Sequence, residues 1–159
     1  MEYRPLDLTA DSRHVVWFAP LPAEQKSGFS HITTLSGVTL RGGYAQGGAG
    51  QTEFLTDRGA GVYMAANAYL RECVVMENMA TGPGGGVYLQ QGGRVMNCLI
   101  YNNEAAQGGG VYMENAGLVL ASMVSNNSAA DGGGVYMAHT GAWTDGRSIP
   151  NTSSSLPPW

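Results

Sequence analysis

The chain lacks what several large function classes require. Among its 159 residues there is one lysine, Lys26, and 8 basic residues stand against 12 acidic ones, for a net charge of −4. A nucleic-acid partner calls for a basic stripe, so none is expected. No run approaches the ~18 consecutive apolar residues of a membrane span, so no transmembrane segment is expected. The opening residues, MEYRPLDLTADSRH, contain no basic segment followed by an apolar stretch, and they do not read as a secretory leader. Two cysteines, Cys73 and Cys98, leave the redox compartment open. Nothing keeps a helical period over the length a helix needs.

Glycine is the exception, with 24 residues, about twice the usual ~7%. Eleven of these recur in one phrase: RGAGVYMAA, PGGGVYLQQ, QGGGVYMEN and DGGGVYMAH. Its valines, Val62, Val87, Val111 and Val135, are separated by 25, 24 and 24 residues. A fixed period in this range marks a repeat architecture. The intervening segments keep step as well. Leu70, Val95 and Val119 each follow their valine by 8 residues; Cys73, Cys98 and Ser122 come 3 later, Val75, Ile100 and Val124 another 2, and Asn78, Asn103 and Asn127 another 3.

Each repeat holds three short β-type runs, in the second case VYL, RVM and CLIY, too small to close a sheet alone. Stacked at ~4.8 Å on the next repeat, each run pairs with its own copy. The pattern therefore predicts an all-β fold, a right-handed parallel β-helix of about four to five coils of 24–25 residues with three short strands per coil. An earlier, degenerate coil fits the same template through HVVWF and TLSGVTLRGGYA. The expected organisation is a lead-in at 1–11, coils at 12–139 with insertions at about 19–32 and 44–58, and an irregular Pro/Ser-rich tail at 140–159.

Strand alternation puts Val87 and Leu89 on one face and Tyr88 on the other. With valine inside, Trp17, Tyr63, Tyr88, Tyr112 and Tyr136 form an outward aromatic stripe, either a platform for sugar rings or a stabilising stack; the inverted assignment, tyrosine inside, stays open. Asn78, Asn103 and Asn127 form a column suited to amide ladders. Cys73, Cys98 and Ser122 continue another inward column, read as buried thiols in preference to a disulfide. No ligand set keeps the spacing of a metal site, so neither metal nor cofactor is expected. Beside the tyrosines stand Ala65, Gln90, Glu114 and Ala138, a single carboxylate where two-carboxylate hydrolysis needs a pair. Asp57 and Glu53 approach Glu114 only if the second insertion folds over the stripe. His14, His31 and His139 fall in different coils without a nucleophile beside them.

These words, ADSRHVVWF, TTLSGVTLRGGYA and the recurring pattern of an Asn pair followed by GGGVY, resemble the right-handed β-helix repeats of bacterial secreted and outer-membrane proteins in the pectin-lyase-like superfamily. The resemblance runs over about residues 12–139 and implies a secreted or cell-surface location. It implies a non-catalytic scaffold for adhesion or carbohydrate binding, with a glycan or a host or cell-surface ligand as partner. The alternative it allows is part of a polysaccharide lyase or glycoside hydrolase whose catalytic coils lie elsewhere. The chain reads as a section of a longer β-helix, able to associate end to end through open coils.

Overall fold

The computed structural model describes residues 15–18, 33–47, 57–64 and 68–153. Among the described residues there is no helix, only strands of two to four residues. They assemble into four five-stranded sheets. The first stacks Val16–Phe18, Val62–Met64, Val87–Leu89, Val111–Met113 and Val135–Met137. The second stacks Thr33–Ser36, Ala68–Arg71, Arg94–Met96, Leu118–Leu120 and Ala142–Thr144. Thr39–Arg41, Val74–Met76, Leu99–Tyr101, Met123–Ser125 and Arg147–Ile149 form the third. Tyr44–Ala45, Met79–Ala80, Glu104–Gln107, Ser128–Asp131 and Thr152–Ser153 form the fourth. Every strand pairs in parallel with its own copy one turn away, as in Val62↔Val87↔Val111↔Val135. The architecture is a parallel β-solenoid of about four turns.

Identical register turns each sequence position into a column. The inward columns are apolar: Val62, Val87 and Val111; Met64, Leu89 and Met113; Leu70, Val95 and Val119; Val75, Ile100 and Val124, all at 0% exposure. Ala45, Ala80 and Ala105 of the fourth sheet form a second, smaller core with Ala60. Each fully buried Val, Leu or Ile contributes about 1.5–3 kcal/mol.

The sheets meet at corners held in the left-handed region. Between the second and third sheets stand Gly37, Glu72, Asn97, Ala121 and Asp145, and between the third and fourth Gly42, Glu77, Asn102 and Asn126, all with φ between 47° and 74°. These corners point outward. A Cβ built at Gly37 meets nothing within 4 Å, so other residues stand there at the ordinary left-handed penalty of about 1–2 kcal/mol. The corner before the first sheet is different, since a Cβ at Gly108 lies 2.5 Å from the Val111 carbonyl oxygen. Its followers are crowded by other turns: a Cβ at Gly109 lies 2.4 Å from the Ser128 oxygen and 2.6 Å from that of Gly133. The glycine triplet thus serves one positive φ and two close turn-to-turn contacts.

Two details differ from the sequence expectation. Each turn carries four strands instead of three, because EAAQ, SAAD and their counterparts pair with one another despite weak β-propensity. The coil also continues through 140–153, where a tail is expected: Ala142–Thr144, Arg147–Ile149 and Thr152–Ser153 extend the second, third and fourth sheets. Trp143 takes the column of Val119, a change of residue type that hides the repeat. The lead-in at 1–11 lies outside the described residues, as do the two insertions apart from 44–47 and 57–58.

Candidate functional site

In-register stacking brings the tyrosines of the first sheet together. Ring centroids are 5.1 Å apart for Tyr63 and Tyr88, 5.3 Å for Tyr88 and Tyr112, and 5.3 Å for Tyr112 and Tyr136, with interplanar angles of 16°, 5° and 5°. Both faces of Tyr88 and of Tyr112 are therefore occupied by neighbours along the axis, and a sugar that must lie on those faces finds only edges. Tyr63 and Tyr88 are at 0% exposure, while Tyr112 and Tyr136 are half-buried. An exposed aromatic platform is thus not what Tyr63 and Tyr88 form. Nor is the assignment inverted, because the valines face the main core and the tyrosines form a separate cluster on the opposite side of the strand. Trp17 is in backbone register with Tyr63, and its side chain lies outside the described residues.

Part of what covers the stack is Arg58, at the end of the second insertion. Its guanidinium lies 5.5 Å from the Tyr88 ring centroid and donates from Nη1 to the Tyr88 hydroxyl at 2.8 Å. The same Nη1 stands 3.4 Å from Glu114 Oε1, and Nε stands 3.5 Å from Asp57 Oδ1. Arg58 therefore runs along the axis, touching tyrosine one turn on and carboxylate two turns on. Asp57 and Glu114 do converge, but on a shared cation that stands between them and offsets one of their two charges; Glu53 lies outside the described residues. Burial pushes the Tyr63 phenol up to about 12. Burial and a hydrogen bond with Glu114 raise Tyr88 further still, so neither hydroxyl serves as a base near neutrality. In chemical terms the cluster is a clamp. The sequence reading missed Arg58, whose one signal is a charge immediately before Gly59, at the position held by Pro83, Gln107 and Asp131 in later turns.

The asparagine column forms a continuous ladder. Asn78 Oδ1 accepts from Gly43 N–H at 2.9 Å; Asn103 Oδ1 accepts from the backbone and side-chain amides of Asn78 at 3.1 and 2.9 Å, and Asn127 Oδ1 from those of Asn103 at 2.9 Å each. The other Nδ2 proton reaches back to the carbonyl of Leu40, Val75 or Ile100 at 3.0–3.2 Å. Asn151, missed in the sequence reading although it follows Asn127 by 24 residues, takes the next rung. Each buried amide is thereby matched, donor and acceptor.

Cys73 and Cys98 are free and buried, their thiols donating to the carbonyls of Arg71 at 3.0 Å and Met96 at 3.2 Å. Ser122 continues the column by accepting from Cys98 N–H at 3.1 Å and donating to the Leu120 carbonyl at 2.9 Å. Burial pushes the Cys98 thiol up to about 11, which opposes the reactive thiolate form. His139 Nδ1 lies 2.9 Å from the Glu114 carbonyl oxygen on the exposed side; His14 and His31 lie outside the described residues. Among the described residues no three His, Cys, Asp or Glu side chains group as metal ligands, and no helix is long and apolar enough to cross a membrane.

Comparison with protein-family models, curated proteins and solved structures returns no match.

Proposed function

We propose that this chain is a section of a non-catalytic, surface-exposed β-helix that displays its outer faces to a glycan or cell-surface ligand. The observation carrying this reading is the commitment of its chemically capable side chains to neighbouring turns. Asparagine amides bond to asparagine amides, tyrosine stacks on tyrosine, and Arg58 holds the two nearest carboxylates. What such a scaffold has left for a partner is its exterior. The GGGVY and Asn-pair motifs, set in a parallel solenoid, support a relationship to the β-helix repeats of the pectin-lyase-like superfamily and, through it, a secreted or bacterial surface location.

The reading moves the aromatic contact away from the first sheet. Tyr69 and Tyr101, on the outer faces of the second and third sheets, have non-aromatic column neighbours: Thr34 and Arg94 for the former, Met76 and Ser125 for the latter. Arg94 lies over Tyr69, 5.3 Å from its ring centroid. Both rings are half-buried, where Tyr63 and Tyr88 are at 0% exposure, and neither is stacked between two other rings. A glycan array with the chain, Tyr69→Ala and Tyr101→Ala tests this. Binding that falls at least tenfold in one variant supports it; no glycan binding, or binding indifferent to both changes, refutes the contact. Release of unsaturated uronate products, followed by ultraviolet absorbance, would overturn the non-catalytic reading.

A further inference from the structure

Oxidising a tyrosine removes an electron from the ring and the proton from the hydroxyl, so the side chain that yields most readily has a proton acceptor already in place. Tyr88 has one. Its hydroxyl donates to the Glu114 carboxylate, and Arg58 Nη1 bridges the same two groups, 2.8 Å from the hydroxyl oxygen and 3.4 Å from Glu114 Oε1. The arrangement also strands no charge. Once Glu114 has taken the proton, Arg58 keeps Asp57 as its partner at 3.5 Å, and a neutral radical on Tyr88 faces a neutral acid. That matters at a residue with 0% exposure, where an unpaired charge is costly.

Burial also decides the route. An oxidant in solution does not touch Tyr88, but it does touch Tyr112, the next ring of the stack, which is half-buried. The two rings lie nearly parallel, at 5°, with centroids 5.3 Å apart, and overlapping π-systems at such a distance exchange electrons readily. Tyr63 covers the other face of Tyr88 at 5.1 Å, so neither face of the buried ring meets water or a second molecule.

We propose that the tyrosine stack is a sink for one-electron oxidants, which takes the oxidation in at Tyr112 and holds it as a radical on Tyr88. The oxidant removes one electron from Tyr112, whose proton leaves to water. Tyr88 then gives an electron to Tyr112, which regains a proton from water, while the Tyr88 proton moves to Glu114. In the net step the oxidant gains one electron, Tyr88 loses one, and Glu114 holds the proton. The inference goes beyond the scaffold reading, and its failure would leave that reading standing.

A ruthenium(III) polypyridyl complex, generated by a light flash with persulfate, serves as the oxidant, and transient absorbance and electron paramagnetic resonance follow the radical. In the parent chain a tyrosyl radical should persist at least tenfold longer than in Tyr88→Phe, which keeps a stacked ring but has no hydroxyl proton to give. In that variant the radical stays on Tyr112 and couples between molecules, so dityrosine fluorescence should rise. Glu114→Gln removes the acceptor and should shorten the lifetime as much. Tyr44→Phe, at an exposed ring of the fourth sheet, should leave it unchanged. Near-ultraviolet circular dichroism checks that ring packing is kept. A parent radical that lives no longer than that of Tyr88→Phe, a Glu114→Gln chain that matches the parent, or loss of the long-lived signal in Tyr44→Phe would each overturn the proposal. Should Tyr88→Phe or Glu114→Gln lose its spectrum, Tyr112→Phe replaces it: with the entry ring blocked, the yield of long-lived radical should fall at least tenfold, and an unchanged yield would overturn the proposal.

Discussion

Removing one rung of the asparagine ladder should cost more in the middle than at the end. In Asn103→Ala, the backbone and one side-chain N–H of Asn78 lose their acceptor, and the carbonyls of Val75 and Tyr101 lose a donor. Both orphaned donors belong to a residue at 1% exposure, so water does not replace the lost partner. At about 1–3 kcal/mol for each buried unsatisfied donor, the loss comes to about 2–6 kcal/mol. Asn151→Ala removes the corresponding acceptor from Asn127, which is itself at 0% exposure, but Asn151 is only half-buried, so cutting it back to Ala lets water into the vacated space to meet the orphaned donors, and about 1–2 kcal/mol is expected. Urea denaturation followed by circular dichroism measures both, with an unchanged slope showing that the unfolded state is the same. Equal midpoints for the two variants, or an Asn103→Ala midpoint near that of the parent, would refute the reasoning.

Three further outcomes are expected. Gly109→Ala drives a methyl group against two backbone oxygens and should destabilise by at least ~3 kcal/mol, whereas Gly37→Ala, with open space around its Cβ, should cost about 1–2 kcal/mol; thermal melts of the pair decide. Ala121→Gly relieves a left-handed alanine at φ 47° on an exposed corner and should stabilise by up to ~1 kcal/mol, net of glycine's greater unfolded entropy, read as a rise in urea midpoint. Stability should also fall on the alkaline side. The Cys98 thiol at about 11 and the Tyr63 phenol at about 12 are raised above their unfolded values near ~8.5 and ~10, so the folded state resists losing these protons. The contribution is complete below pH ~8.5 and declines as pH rises through the two windows. Urea midpoints at pH 7, 9 and 10.5 should decrease in that order, and Cys98→Ala should flatten the first interval; a flat profile in the parent would contradict the assignment.

The solenoid is legible because its interior admits so few residue types. A column that must be apolar in every turn writes its period directly into the sequence, and Val62, Val87, Val111 and Val135 reveal it. Legibility fails where a column tolerates a change of type. Trp143 replaces valine 8 residues after Val135, and Asn151 then returns on schedule, so the final turn was visible only to a reader who kept counting through a Pro- and Ser-rich stretch. The fourth strand is silent for another reason: Glu104–Gln107 is held by pairing with its copies and not by its own preferences. Alternation correctly puts tyrosine opposite valine, but it says nothing about what lies over the tyrosines. That depends on Arg58, brought in by an insertion whose path has no period to read.

Register has a consequence for how such a chain changes length. A column survives an insertion if the added residues fall between strands, as they do between Val16 and Val62, or if every downstream residue moves by a whole turn. The 25-residue step between Val62 and Val87 keeps its columns because the surplus residue is absorbed outside them. Duplicating 24 residues would advance all later columns together, lengthening the rod by ~4.8 Å and leaving the neighbours on either side with the contacts they already had. Length here is counted in units, like beads on a string, and the molecule can be reached or shortened by gene events of one size without any other residue having to adapt.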